Sequence, residues 1–518
     1  MSASISTSVL SHGELSKRIP ASETAVFQHS PEADSKLRRE WEPGCQPDEI
    51  YDRYLPRWRA WLRRYLVKRL REEKDWMADW QVRVRTEGRD KFFYWTAIFG
   101  THTFFMTFLP VLFFFGFPVK ARGLLYVVGM GIHISSFAKD LVCTPRPYSP
   151  PVIRLSMSTH HHEYGFPSSH STNSVSIALF FGGWLYELRH QVGSSAVMAG
   201  WAFLFVYAAS VVGGRLYTGM HSTADIIGGS LMGAACWLLW VIVGAQTEAW
   251  VNTGTWLVPA ISIPLTLGMV HYHPEPLDDC PCFEDAIAVL AVILGSFVGH
   301  WWGVISGEAI PSVVQRQSYQ SGPLQGITVI AFRLILGLGI MFAWRLIAKT
   351  TLLRILPPIF RTFSKVSGED LPTRRFYKAA TDYKQVPQKL AFRQIPSVVD
   401  LQIGTNENSS FSTSPVDSPV LSMNGHPSKS SSAFLQAPST NGVRQRTREE
   451  EEKDKEEEEK KRKDEEIRFL IRVNKRKGDR SKYDAEVLTK VGVYSGIGLL
   501  ATTFIPILFN KIENIVLS

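Results

Sequence analysis

The chain holds five cysteines in 518 residues, at positions 45, 143, 236, 280 and 282. They are too few and too scattered to staple a disulfide framework. No internal repeat runs through the sequence. Residues 1 to 50 are rich in Ser, Glu and Pro and hold no apolar h-region. A cleavable signal peptide is therefore not expected, and targeting falls to the first membrane span. His160, His161 and His162 form a run, but consecutive residues cannot all converge on one ion. With no carboxylate cluster of suitable spacing beside them, a loop over an anion site is the better reading, and no metal or other cofactor is expected.

A hydrophobic fraction of 45% is ordinary, and the mean hydropathy of −0.03 hides strongly apolar segments offset by very polar ends. The net charge is +9, with a pI near 9.2. Most of the positive residues flank hydrophobic runs, so an anionic membrane surface, not nucleic acid, is the expected partner. A span of about 30 Å of hydrocarbon needs about 20 apolar residues. By that measure eight spans are expected at 93–116, 121–138, 170–188, 195–213, 225–245, 254–272, 285–305 and 326–348. A ninth follows within 490–511. Since open sheet edges cannot face lipid, the fold expected is an all-α, polytopic helical bundle.

Outside the spans the composition shifts. The polar amino-terminal region, 1–90, contains a 57–70 segment with Trp58, Trp61, Leu62, Tyr65 and Leu66 on one helical face. Arg59, Arg63, Arg64 and Lys68 fall largely elsewhere, as in a helix lying among lipid headgroups. The membrane domain is expected to cover 91–362, with 351–360 interfacial because Pro357 and Pro358 interrupt it. His300 and Arg333 lie at membrane depth and are expected to face neighbouring helices. Residues 363–489 read as a disordered polar tail with a charged, solvated helix at 448–466.

Three polar blocks recur at the ends of these spans: Lys139 to Arg146 and Pro147, then Pro167-Ser168-Ser169-His170, then Gly214-Arg215 through His221 to Asp225. Each alone is weak, since a lone Lys or Arg at a membrane end is normally a flanking charge and Ser168 could be a plain N-cap. Together they supply three fixed cations, two imidazoles and a carboxylate, a set suited to phosphoryl transfer. His221 and Asp225, four apart, share a helical face, so the carboxylate can orient the ring. A helix starting at Ser168 or Ser169 would turn free N–H groups toward an anion.

The spacing Lys-x6-Arg-Pro, the Pro-Ser-x-His block and Arg-x5-His-x3-Asp resemble the signature of the type 2 phosphatidic acid phosphatase (PAP2) superfamily. The resemblance implies a core of about six helices. It makes His221 the nucleophile that becomes a phosphohistidine, Asp225 its orienting partner and His170 the proton donor. Lys139, Arg146, Ser168, Ser169 and Arg215 would bind phosphate. Ser169 stands where the family often has Gly, and Gly214 where it usually has Ser, so Gly214 offers only its amide. The Tyr-x-Gly-Met-His-Ser run before and around His221, and Cys280-Pro-Cys282-Phe, resemble sphingoid base phosphate phosphatases. That likeness implies dephosphorylation of dihydrosphingosine, phytosphingosine or sphingosine 1-phosphate at the endoplasmic reticulum membrane. A broader lipid phosphate or polyprenyl diphosphate phosphatase, and a non-catalytic scaffold, are the alternatives. Basic residues beside the first and eighth spans favour a cytosolic site, whereas the resemblance implies a lumenal one.

Overall fold

The structure is a computed structural model that describes residues 42–155, 163–274, 276–278, 280–308, 323–367 and 484–517. Among these there is no strand, and helices make up the fold. In chain order they are α1 (Asp48–Tyr54), α2 (Arg57–Val84), α3 (Glu87–Thr96), α4 (His102–Phe114), α5 (Pro118–Val142), α6 (Ser169–Glu187) and α7 (Ser194–Tyr217). There follow α8 (Thr223–Asn252), α9 (Leu257–His271), α10 (Cys282–Ile305), α11 (Pro323–Ser367), α12 (Ala485–Leu499) and α13 (Ile505–Leu517). Among the described residues five segments are long and apolar enough to cross a membrane: Ser194–Tyr217, Thr223–Asn252, Cys282–Ile305, Ile327–Ser367 and Ala485–Ile512. Their outer faces leave Phe203, Phe205, Leu231 and Leu239 exposed, the inside-out pattern that lipid permits.

The centre of the bundle is α5, packed against α6, α8 and α10. Pro118 at its first turn has the φ a helix needs and no N–H to lose, and Cys143 ends it in the left-handed region at φ 55. Arg59 and Arg63, on α2, cap its last carbonyls, those of Asp140, Leu141 and Cys143. Terminal carbonyls need such donors and attract positive charge.

Several helices run differently from the sequence expectation. The first expected span, 93–116, is broken into α3, a 3₁₀ turn at Ala97–Gly100 and α4. The break falls where Thr101 caps α4 by accepting from the Phe104 amide. The amphipathic segment extends well past residue 70, and it packs through Ala60, Arg63, Val67 and Leu70. Trp58, Trp61 and Tyr65 are left outside. Arg63 belongs to the buried face because it bonds Asp48 and the Gly44 carbonyl and lies over the Tyr51 ring at 3.6 Å. Residues 351–360 are not separate; α11 passes through Pro357 and Pro358, with Phe360 and Leu356 packed on Ala485 and Leu488. That packing, together with the tolerance of membrane helices for Pro, keeps the helix continuous. The tail expected at 363–489 is entered by α11 and left by α12; the 448–466 helix lies outside the described residues. Arg333 donates to the Phe114 carbonyl at 2.6 Å, and His300 meets Asn252 at 3.0 Å, so both face neighbouring helices.

Two glycine seams set the helix spacing. On α10, a Cβ at Gly295 would come within 1.9 Å of the Ser495 carbonyl oxygen, which brings α12 against it. On α8, a Cβ at Gly229 or Gly233 would lie 2.4 Å from the carbonyl oxygen of Ser168 or Thr172 on α6. Small residues four apart let backbones approach this closely. The second seam joins the helices that carry the second and third polar blocks. Gly233→Val should therefore cost about 1–3 kcal/mol through overpacking and lower the melting temperature in detergent. Gly268→Ala, where a Cβ meets nothing within 4 Å, should leave it unchanged; equal melting temperatures for both variants would refute the seam.

Candidate active site

Residues 163–167 run between the three blocks and hold them together. The Gly165 amide donates to the Thr144 carbonyl at 2.8 Å, and the Phe166 amide to the Thr144 hydroxyl at 3.0 Å. A side chain at Gly165 would strike the Pro145 carbonyl oxygen at 2.4 Å. The Tyr164 hydroxyl donates to Asp278 at 2.9 Å. Asp278 also accepts from Tyr51 and the Gly44 amide, tying the amino-terminal segment to the same strut. Burial first, and then the Asp278 charge, hold both tyrosines in the neutral form.

Lys139, Arg146 and Arg215 are all buried, at 2%, 3% and 5% exposure. Burying a charge without a partner is costly, yet one carboxylate serves two of them. Glu163 lies 2.6 Å from Lys139 Nζ and 3.5 Å from Arg146 Nη2, and its own carbonyl accepts from Arg146 Nε at 3.1 Å. Arg215 Nε has no hydrogen-bond partner among the described residues. An anion is what such a group lacks. Desolvation lowers the Arg146 pKa, while the nearby Glu163 charge opposes that shift.

His221 sits on the turn between α7 and α8 with 1% exposure. Its Nδ1 is 3.0 Å from the Gly165 carbonyl oxygen. A carbonyl can only accept, so Nδ1 carries the proton and the Nε2 lone pair faces Arg146 Nη1 at 3.1 Å. Burial, followed by the charges of Arg146, Arg215 and Lys139, pushes the His221 pKa well below its ordinary 6.5. The ring is therefore neutral and nucleophilic at physiological pH. Asp225, the expected orienting partner, lies close to the ring without a hydrogen bond to it. Asp225 Oδ2 is 3.6 Å from Nδ1, beyond hydrogen-bond length. The carboxylate is instead engaged in a capping box, accepting from the Ser222 amide at 2.8 Å. Gly165 takes the orienting place.

Ser168 caps α6, its hydroxyl accepting from the Ser171 amide and hydroxyl. Its own amide donates to the Asp225 carbonyl at 3.0 Å. The amide is thus spent on the fold, and the hydroxyl proton is what Ser168 can offer an anion. Ser169 is buried in the first turn of α6. His170 is half-buried beside it, close enough to the 3₁₀ turn that a Cβ at Gly100 would reach its ring at 2.9 Å. His160, His161 and His162 lie outside the described residues. Ligand atoms of Asp140, Cys280 and Cys282 lie within 4.8 Å of one another. The two sulfurs are bonded to each other, however, which leaves no thiolate for an ion.

Glu163, Gly165 and Asp278 escaped the sequence reading. A carboxylate placed between two cationic blocks was the available signal for Glu163. The roles of Gly165 and Asp278 depend on long-range contacts, which have no local pattern.

Fold and site define a helical membrane protein with a buried cluster of three cations beside a histidine whose pKa is lowered. The PAP2 superfamily profile matches residues 120–248, which take in all three blocks. A dihydrosphingosine 1-phosphate phosphatase of Schizosaccharomyces pombe is 31% identical over 305 residues, 58% of this chain and 72% of the relative. One of Saccharomyces cerevisiae is 32% identical over 281 residues, covering 54% and 69%. Human sphingosine-1-phosphate phosphatase 2 is 28% identical over 232 residues, covering 43% and 55%. No solved structure matches. The chain belongs to the PAP2 superfamily.

The His221 geometry is open to direct measurement. At pH 6.5, ¹⁵N shifts of selectively labelled protein should show a neutral imidazole protonated at Nδ1. A doubly protonated ring at that pH, or an Nε2–H tautomer, would contradict the geometry.

Proposed function

We propose that this protein is a metal-independent lipid phosphatase that hydrolyses sphingoid base 1-phosphates in the endoplasmic reticulum membrane. The observation that carries the reading is the convergence of Lys139, Arg146 and Arg215 around a neutral His221, in a family whose similar members are named for these substrates. The phosphoryl oxygens of the substrate take the places around the three cations, with the Ser168 hydroxyl and the Ser169 amide as further donors. As the phosphate draws the Arg146 guanidinium to itself, the His221 Nε2 lone pair is released. Nε2 attacks phosphorus; the Nε2–P bond forms as the P–O ester bond breaks, and His170 gives a proton to the leaving alkoxide. His170 then takes a proton from water, which attacks the phosphohistidine and frees inorganic phosphate with His221 restored. Phosphoryl transition states spread charge over the equatorial oxygens, and fixed cations there supply most of the stabilisation.

The lipid chain is assigned to an apolar cleft of about 520 Å³ lined by Phe99, Phe104, Phe108, Ile177, Phe181 and Tyr207. Phe99 precedes Gly100, which abuts His170, so the cleft opens near the leaving-group side. The alternative of a broader lipid phosphate phosphatase differs only in which phosphate esters are accepted.

The test is phosphate release from dihydrosphingosine 1-phosphate by purified protein. Wild type should be active in chelator and inhibited by vanadate, and Arg215→Ala should lose about 10²–10³-fold in rate. His221→Ala should be inactive, and base-quenched ³²P substrate should leave acid-labile label on the wild type alone. Label persisting in His221→Ala would overturn the nucleophile, and activity restored to chelated protein by magnesium would overturn metal independence.

A further inference from the structure

The carboxylate of Glu163 occupies ground that a phosphate must enter. It bonds Lys139 and Arg146, two of the three cations assigned to the phosphoryl oxygens. Its backbone cannot withdraw, because its carbonyl holds Arg146, Tyr164 is fixed to Asp278 and Gly165 to Thr144. Only the side chain can turn aside when phosphate arrives. Other carboxylates around the pocket have structural work: Asp225 closes the cap of α8, Glu73 binds the Thr223 amide and hydroxyl, and Glu42 pairs with Arg154.

A bound phosphate would thus share a buried pocket with a displaced carboxylate. Two anions held together in low dielectric repel, which disfavours binding unless a cation comes with the ligand. Sphingoid base 1-phosphates bring one. Their ammonium at C2 is two carbons from the ester oxygen at C1, so it travels beside the phosphate. Alkyl phosphates and phosphatidate carry no such cation, and an N-acylated sphingoid phosphate has only a neutral amide.

We propose that Glu163 is the specificity-determining residue of this pocket: its carboxylate leaves Lys139 and Arg146 to the phosphate and receives the substrate's ammonium. The same group then selects for amine-bearing lipid phosphates and against all others. This inference rests on the phosphatase reading above.

The experiment measures kcat/KM for dihydrosphingosine 1-phosphate and for octadecyl phosphate, which lacks the amine, in identical mixed micelles. Wild type should prefer the amine substrate. In Glu163→Gln the ratio of the two values should fall about 10- to 100-fold, the worth of a charge-assisted hydrogen bond. Glu163→Asp should regain part of it. An unchanged ratio, with both values falling together, would make Glu163 a structural partner of Lys139 and overturn the proposal. Should the variants fail to fold, wild type alone decides between dihydrosphingosine 1-phosphate and its N-acetyl derivative: slower turnover of the latter supports the proposal, and equal rates overturn it. Phosphate release from none of these lipids would instead bring down the phosphatase reading itself.

Discussion

Three cations buried beside one another are the constraint on which the rest of the structure depends. Lys139, Arg146 and Arg215 repel, and burial removes the water that would screen them. The chain answers with the 163–167 strut, which delivers one carboxylate, two backbone carbonyls and a close glycine contact into the space between the blocks. The compensation is partial, since Glu163 reaches two cations and Arg215 Nε remains without a hydrogen-bond partner among the described residues. Burial first, and then the same charges, lower the His221 pKa and favour the neutral ring.

Such a cluster needs helices that do not drift. The Gly229 and Gly233 seam presses α8 onto the start of α6, and the Ser168 amide bonds the Asp225 carbonyl across it. The end of α5 that carries Lys139 is held from the other side by Arg59 and Arg63 on α2, which donate to the carbonyls of Asp140, Leu141 and Cys143. The amino-terminal helices therefore belong to the site's scaffold. Asp278 extends the connection to the loop before α10 by binding Tyr51 and Tyr164 at once.

Much of this was legible in the sequence where the signal was local. Apolar length marked α7, α8 and α10, and the spacing of the three blocks picked out Lys139, Arg146 and Arg215, the cations that lie around His221. What failed was whatever depended on long-range contact. Asp225 is a local case instead: it stands four residues from His221, with Oδ2 3.6 Å from the ring, while Ser222, three residues before it, engages the carboxylate as a cap. Arg63 looked like solvent-facing charge until the open carbonyls of α5 gave it partners. Gly165 has no signature, because its role comes from a backbone carbonyl meeting a ring 56 residues away. The break at Gly100 coincides with a short polar interruption, Thr101 to Thr103, inside an otherwise apolar run.

The most direct measurement is a structure determined with vanadate bound. We expect vanadium bonded to His221 Nε2, its equatorial oxygens within hydrogen-bond reach of Lys139, Arg146 and Arg215, and the Glu163 carboxylate turned off the two cations it now holds. Vanadate bound away from His221, or seated there with Glu163 still paired to Lys139, would contradict this account of the pocket.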